Sequence, residues 1–256
     1  MSDLQAVIQG GVLRVTINRP AKRNALTRGL LQELGEVFAA RGSDHKLKAA
    51  VVRGSGDLCF AAGGDLHELS AITTAEGAEA MAREVKATLE NIRRFPLPVI
   101  AALNGDAMGG GAELALACDM RIAASHARIG FVQGRINVTT AWGGGVDLMR
   151  LVGPSVGLQL LCQAEMIPAH KAAALGLINR VAADGQSLEE LEADFLAPIL
   201  TQSPHVLRAF KSLAYAARSG LSIAELNQLE TRLFSPAWIH EDHLKAVEKL
   251  FPTRAG

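Results

Sequence analysis

Glu113 stands three residues after Gly110 in the run Asn104-Gly105-Asp106-Ala107-Met108-Gly109-Gly110-Gly111-Ala112-Glu113-Leu114. On a helix that starts near Gly109, this spacing puts the carboxylate on the same side as the Gly110 amide. A second glycine turn, Phe60-Ala61-Ala62-Gly63-Gly64-Asp65-Leu66, lies upstream. Each turn follows an apolar, strand-like run (49–52 and 99–103) and leads into a helix-like one. Backbone without Cβ atoms can approach a ligand closely, and its N–H groups at a helix start have no internal partner. Two such turns converging on one point would offer a pair of amide donors to a developing oxyanion. Beside a carboxylate, that cradle predicts enolate chemistry on a carbonyl substrate.

Other uses of glycine loops fit less well. A lone glycine turn is also what tight packing produces. A P-loop requires Lys and then Ser or Thr after its last glycine. Counting from Gly105 reaches Gly110 and then Gly111, where the lysine should be. Gly54-Ser55-Gly56 follows a strand as a dinucleotide fingerprint should, but Cys59 occupies the third glycine position. Both phosphate-loop readings fail.

The turns, together with Asn18-Arg19-Pro20 and Asn24-Ala25-Leu26, resemble the enoyl-CoA hydratase/isomerase (crotonase) superfamily. The resemblance covers nearly the whole chain and keeps its motifs in order: NRPAKRNAL, CFAAGGDL, NGDAMGGGAELALACD, a WGGG segment, and Ala173-Ala174-Leu175-Gly176-Leu177-Ile178. It implies an α/β fold, a spiral of repeated ββα units (1–187) followed by an all-helical segment (188–256) through which members form trimers or pairs of trimers. It also implies that the amides of Gly64 and Gly110 bind the thioester oxygen of an acyl-CoA, and that Glu113 is a catalytic acid/base. The backbone around Ala62, Asp65, Leu66 and His67 matches the edge that holds the adenine of coenzyme A. Lys22, Arg23 and Ala25 lie on the loop that approaches the CoA, where the cationic pair suits pyrophosphate or is simply solvated. Coenzyme A enters as part of the substrate, so no permanently bound cofactor is expected.

One position departs from the hydratase pattern. Hydratases use two glutamates, and aligning Ile129-Gly130 with the family's strand puts Gln133 at the second. A neutral amide can orient water but cannot exchange a proton near neutral pH. Three chemistries remain compatible with one carboxylate: double-bond isomerisation of a 3-enoyl-CoA, specialised hydration of a 2-enoyl-CoA, and decarboxylation of a malonyl-type thioester such as ethylmalonyl-CoA. Many isomerases place their base at the position of Gln133, which counts against the first. Phe131-Val132, Ala141-Trp142-Gly143-Gly144 and Pro236-Ala237-Trp238 locally resemble ethylmalonyl-CoA decarboxylase-type members, and Arg135 could pair with a substrate carboxylate or face solvent or a neighbouring subunit. A non-catalytic acyl-CoA-binding scaffold is the remaining class, and it has no use for Glu113. Trp142 and Phe131 could line an acyl pocket or belong to the core. Thr139 and Thr140 could contact a polar acyl group or cap the turn that follows.

Composition agrees. The 256 residues carry 26 Lys plus Arg and 26 Asp plus Glu, so no charge field points to nucleic acid or a membrane surface. Cys59, Cys118 and Cys162 form neither a CxxC nor a zinc pattern. His240 and His243 have near-helical spacing but no evident third ligand, so no metal site is expected. The N-terminus lacks a basic start and an apolar stretch, and no run spans a membrane, which reads as a cytoplasmic protein.

The positioning elements follow from local pattern. Alternation at 4–8 and 12–17 predicts a strand pair joined at Gly10-Gly11. Thr27 predicts a cap for a helix over 28–40. Strands at 49–53 and 99–103 feed the two turns, and a helix over 75–94 ends before Pro96 and Pro98. A buried helix over 110–117 precedes strands at 120–124 and 127–131 and helices from Gly144 and Ser155. From Leu188 the chain reads as four helices: 188–200, 204–218, 222–234 and 241–250.

Overall fold

The computed structural model describes residues 2–250. Positions 251–256, the end of the expected helical segment, lie outside the described residues.

The chain opens with β1 (Leu4–Gln9), β2 (Val12–Ile17), α1 (Arg28–Arg41), β3 (Ala49–Gly54) and β4 (Cys59–Ala61). It continues through α2 (Leu66–Leu69), α3 (Ala75–Arg93), β5 (Val99–Leu103), β6 (Asp106–Met108), α4 (Gly110–Ala117), β7 (Met120–Ala123) and β8 (Arg128–Gly130). Next come α5 (Gly144–Val152), α6 (Pro154–Gln163), β9 (Ile167–Pro168), α7 (Ala169–Ala174) and β10 (Arg180–Val181). The tail is α8 (Leu188–Leu200), α9 (Pro204–Ser219), α10 (Ile223–Trp238) and α11 (Glu241–Leu250). Short 3-10 turns occupy Pro20–Lys22 and Val132–Ile136.

Two sheets form, one with strand order β1-β2-β3-β5-β7-β10 and the other β4-β6-β8-β9. The pairs β3/β4, β5/β6 and β7/β8 each place one strand in each sheet before the next helices, so every repeat advances both sheets by one position. This is the expected spiral. The strands that advance pair in parallel. β5 lies in the middle of the larger sheet and is buried along its whole length. A parallel strand covered on both faces has no polar alternation, and its sequence VIAAL shows none. β1 is the antiparallel edge, where only Leu4 is buried.

Local chemistry explains the ends of the longer elements. The Thr27 hydroxyl accepts the Leu30 N–H and starts α1, and Thr74 does the same for α3 through Gly77. Ser187 and Ser222 each form a reciprocal capping box with a glutamate three residues on. α10 runs one turn past the expected end at Phe234 and carries Pro236 within it. Apolar faces of α1 (Leu30, Leu31, Leu34, Phe38) and α3 (Val85, Leu89, Ile92) join the core, with Phe38 edge-on to Phe95 at 5.2 Å.

In the smaller sheet the expected strand at 127–131 forms as β8, whereas β4 and β6 are not legible in the sequence because they are three residues long and lie inside the glycine motifs. The sheet's role is to set the two turns side by side. β4 and β6 pair in parallel, with Ala61 opposite Ala107, so the segments that leave them, 62–65 and 109–110, emerge together. α4 then packs directly on β4. A Cβ at Gly111 would lie 2.7 Å from the Ala61 carbonyl carbon and 2.9 Å from its Cβ. Gly111→Ala is therefore expected to destabilise the fold by about 1–3 kcal/mol, the usual result of overpacking, measured by urea unfolding. Unchanged stability would mean that α4 and β4 are not held this closely.

Candidate active site

The two turns meet. A Cβ on Gly63 would stand 3.1 Å from the Gly110 nitrogen. The first loop is stitched to the same place: Ala62 donates to the Arg23 carbonyl, Leu26 to the Gly63 carbonyl, and Asp65 to the Leu26 carbonyl, at 2.8–3.1 Å. These bonds use the amides of Ala62 and Asp65 and the carbonyl of Gly63, around Gly64. Neither the Gly64 nor the Gly110 N–H is taken by a main-chain acceptor among the described residues.

Glu113 lies on α4, where every residue from Gly111 to Ala117 is buried. Its Oε2 accepts the N–H groups of Trp142 at 2.9 Å and Gly144 at 2.8 Å. Its Oε1 accepts the Gln133 amide at 3.0 Å. Burial pushes the Glu113 carboxyl above the usual range, while the N–H groups of Gly144, Trp142 and Ala141 and the Gln133 amide pull it back. Against an ionised carboxylate, only the Nε2 end of Gln133 can face Glu113. Its Oε1 is left buried with no hydrogen-bond partner among the described residues.

The four catalytic positions expected from the sequence therefore sit together. Gly64 and Gly110 supply open amides, Glu113 the carboxylate, and Gln133 a neutral partner to it.

The proposed CoA-side residues separate into two groups. Lys22, Leu66 and His67 are exposed. Arg23, about half exposed, reaches Asp106 at 3.4 Å, and Arg128 pairs with the same carboxylate at 2.7 Å. Asp65 has a structural role. Its side chain caps α2 by accepting the His67 N–H, and it pairs with Arg19 at 3.1 Å. The Arg19 guanidinium also donates to the Ala25 carbonyl at 2.6 Å, which fixes the loop that carries Ala25 against the Ala62–Asp65 turn. Arg135 uses its Nε on the Ala164 carbonyl at the end of α6.

Sequence reasoning missed what holds Glu113 in place. The loop that donates to it is gripped by Arg93 on α3, which reaches the Trp142 carbonyl at 3.4 Å and Asp147 at 2.8 Å. Asp147 also accepts from Arg218 on α9, at 2.7 Å. Arg218 continues to the carbonyls of Leu116 and Ala117 at the C-terminal end of α4. Arg121, pushed down to about 10 by burial, donates to the Ala115 and Cys118 carbonyls of the same end. Arg93 and Asp147 are both buried. No local motif marks the network, because its members are distant in sequence.

Among the described residues, the histidines that converge are His205 and His240 with Asp242, not His240 with His243. The two imidazoles stack at 3.7 Å, so a cation in the plane of one ring lies well off the plane of the other. Asp242 instead accepts the Ser203 hydroxyl at 2.8 Å and donates its N–H to His240. The group ties the start of α9 to the start of α11. His243 stacks on Trp238.

A family model described as enoyl-CoA hydratase/isomerase matches residues 7–253. The chain belongs to that family. A short-chain-enoyl-CoA hydratase from Clostridium acetobutylicum is 35% identical over 250 residues, covering 96% of this chain and 93% of its own. A crotonyl-CoA hydratase from Syntrophomonas wolfei is 37% identical over 200 residues, covering 77% and 75%. A crystal structure of an enoyl-CoA hydratase from Mycobacterium smegmatis superposes with a TM-score of 0.91 at 28% identity, covering 98% and 96% of the two chains. The chain is thus an enzyme of the enoyl-CoA hydratase/isomerase family. No helix among the described residues is long and apolar enough to cross a membrane.

Asp147→Ala leaves the buried Arg93 guanidinium and the partly buried Arg218 guanidinium facing each other without their shared anion. Breaking a buried pair from one side costs about 3–5 kcal/mol. A loss of that size is expected in urea unfolding, and a loss below about 1 kcal/mol would show that the network is solvated.

Proposed function

We propose that this enzyme adds water to a 2-enoyl-CoA, with Glu113 as its single acid/base and the amides of Gly64 and Gly110 as the oxyanion donors. The observation that carries this reading is the Glu113–Gln133 pair. Glu113 Oε1 accepts from Gln133, whose own carbonyl oxygen is a buried acceptor left open. An orphaned buried acceptor costs about 1–3 kcal/mol. A water bound there can donate one hydrogen to Glu113 and the other to Gln133, which satisfies both.

In the reaction, Glu113 takes a proton from that water as its oxygen bonds to C3. The C2–C3 π electrons move onto the thioester oxygen, where the two N–H groups hold the negative charge. Glu113 then returns the proton to C2, so the net change is addition of one water. The Gln133 amide stays neutral throughout and only aims the nucleophile.

A malonyl-type substrate fits the pair poorly, because its carboxylate would face two acceptors. Arg135, the cation considered for that carboxylate, already donates to Ala164. Isomerisation needs Glu113 to carry a proton between C2 and C4, with no use for the open Gln133 oxygen.

The segment formed by Lys22, Arg23, Ala25, Ala62, Asp65, Leu66 and His67 would carry the CoA moiety. Its stitched backbone and exposed cations support that use. The tail would join copies of the chain. α10 and α11 bury no side chain, and Ile223, Phe234, Trp238, Ile239 and Leu244 stand exposed. Light scattering of the purified protein is expected to give a multiple of three chains, and a monomer would remove this part of the reading.

Crotonyl-CoA, a 3-enoyl-CoA and ethylmalonyl-CoA separate the chemistries. Hydration of the first is expected to dominate; rapid CO2 release from the last with negligible hydration would overturn the assignment. Glu113→Gln should lower kcat by about 10²–10⁴-fold, the usual contribution of a positioned acid/base, while butyryl-CoA still binds. Equal activity of variant and parent would remove Glu113 from its role. As a base, Glu113 must be ionised, and burial raises its pKa. kcat/KM is therefore expected to rise with pH through a limb above the ordinary glutamate range, a limb absent from E113Q.

A further inference from the structure

Trp142 lies against Gly64, Gly110 and Glu113, and nothing in the hydration scheme uses its side chain. A Cβ on Gly110 would fall inside its indole, 2.7 Å from Cε3 and Cη2. A Cβ on Gly64 would lie 3.3 Å from Cζ2 and Cη2 of the same ring. The Trp142 main-chain N–H holds Glu113 at 2.9 Å. This one residue thus contacts both amide-bearing glycines and the carboxylate. A ligand that reaches those three groups at once borders on the indole.

The ring is poorly free to leave. It is 5% exposed, and its Nε1 donates to Met81 Sδ on α3 at 3.4 Å. Its carbonyl is gripped by Arg93, which Asp147 locks in turn. On the same Cβ side of Gly64, Leu69 from α2 presses in beside the ring, with its Cδ1 2.5 Å from where a Cβ would stand. A rigid bicyclic ring and a branched aliphatic side chain therefore pack together against the turn that carries the Gly64 amide.

We infer that Trp142 is the specificity-determining residue that limits the acyl group to a short chain. Past C4, an acyl chain must run into the indole or displace it. The inference rests on the enoyl-CoA reading above and adds the substrate class: four-carbon enoyl thioesters over medium-chain ones.

The test compares crotonyl-CoA with trans-2-octenoyl-CoA in the parent, Trp142→Phe and Trp142→Leu. The parent is expected to favour the four-carbon substrate. In W142L the ratio of kcat/KM values should shift toward the eight-carbon substrate by about ten-fold or more, since single methylenes in an apolar pocket are worth about 10–200-fold. W142F should lie between. A parent that uses both chain lengths equally overturns the inference. So does a W142L in which both substrates fall in the same proportion, which is what a merely structural role predicts.

A second measurement does not need turnover. The sequence holds two tryptophans, so Trp238→Phe leaves Trp142 as the only one. Its emission is expected to change when butyryl-CoA binds and to stay constant with free coenzyme A. No change with bound butyryl-CoA overturns the contact. If no enoyl-CoA is hydrated yet the emission responds to the thioester, the hydratase reading falls while Trp142 keeps its place at the acyl group.

Discussion

The carboxylate of Glu113 is a charge placed on a buried helix, and the rest of the site is arranged to answer that. Left alone in an apolar interior, a carboxylic acid would keep its proton. Here one oxygen receives two main-chain N–H groups from the Trp142–Gly144 loop and the other receives an amide. Burial raises the pKa of the group, and these donors oppose the rise. Main-chain donors suit this use because they do not titrate. They do, however, require the loop that bears them to stay in place. The buried Arg93–Asp147–Arg218 chain provides that hold, through the Trp142 carbonyl.

That chain also joins the two ends of α4. At the C-terminal end, Arg121 and Arg218 cover the last carbonyls with positive charge. At the N-terminal end, the Gly110 amide is open to a ligand. Cations suit the negative end of a helix dipole, and a developing anion suits the positive end. α4 is therefore an apolar rod whose two polar ends are matched separately, one to the protein and one to the substrate. α9 supplies Arg218, which makes the first half of the tail part of the catalytic frame; among the described residues, α10 and α11 make no comparable bond to it.

The parts that were legible in the sequence are those carried by short-range spacing. Glu113 lies three residues from Gly110, and helical geometry converts that into proximity. The apolar run 99–103 announced a buried strand, and Thr27 announced a helix start. The three-residue strands β4 and β6 were hidden because they share residues with the glycine turns they aim. Arg93, Asp147 and Arg218 were hidden because a charged residue in isolation reads as solvated, and their partners lie 49–102 positions away. Asp65 matched the family's CoA edge by position, yet its side chain is committed to Arg19 and to the start of α2.

The glycines at 64 and 110 took on a second meaning in the structure. Glycine beside a ligand usually signals that the backbone itself must come close. Here the space on the Cβ side is filled by the Trp142 indole. Both glycines are therefore also packing positions: the same ring lies against each of the two turns. A side chain at Gly110 would collide with the indole, and one at Gly64 would meet Leu69 first and press on the same ring. Gly64, Gly110, Glu113 and Trp142 are thus one packing unit. A change in the size of Trp142 is therefore felt at both turns and at the carboxylate.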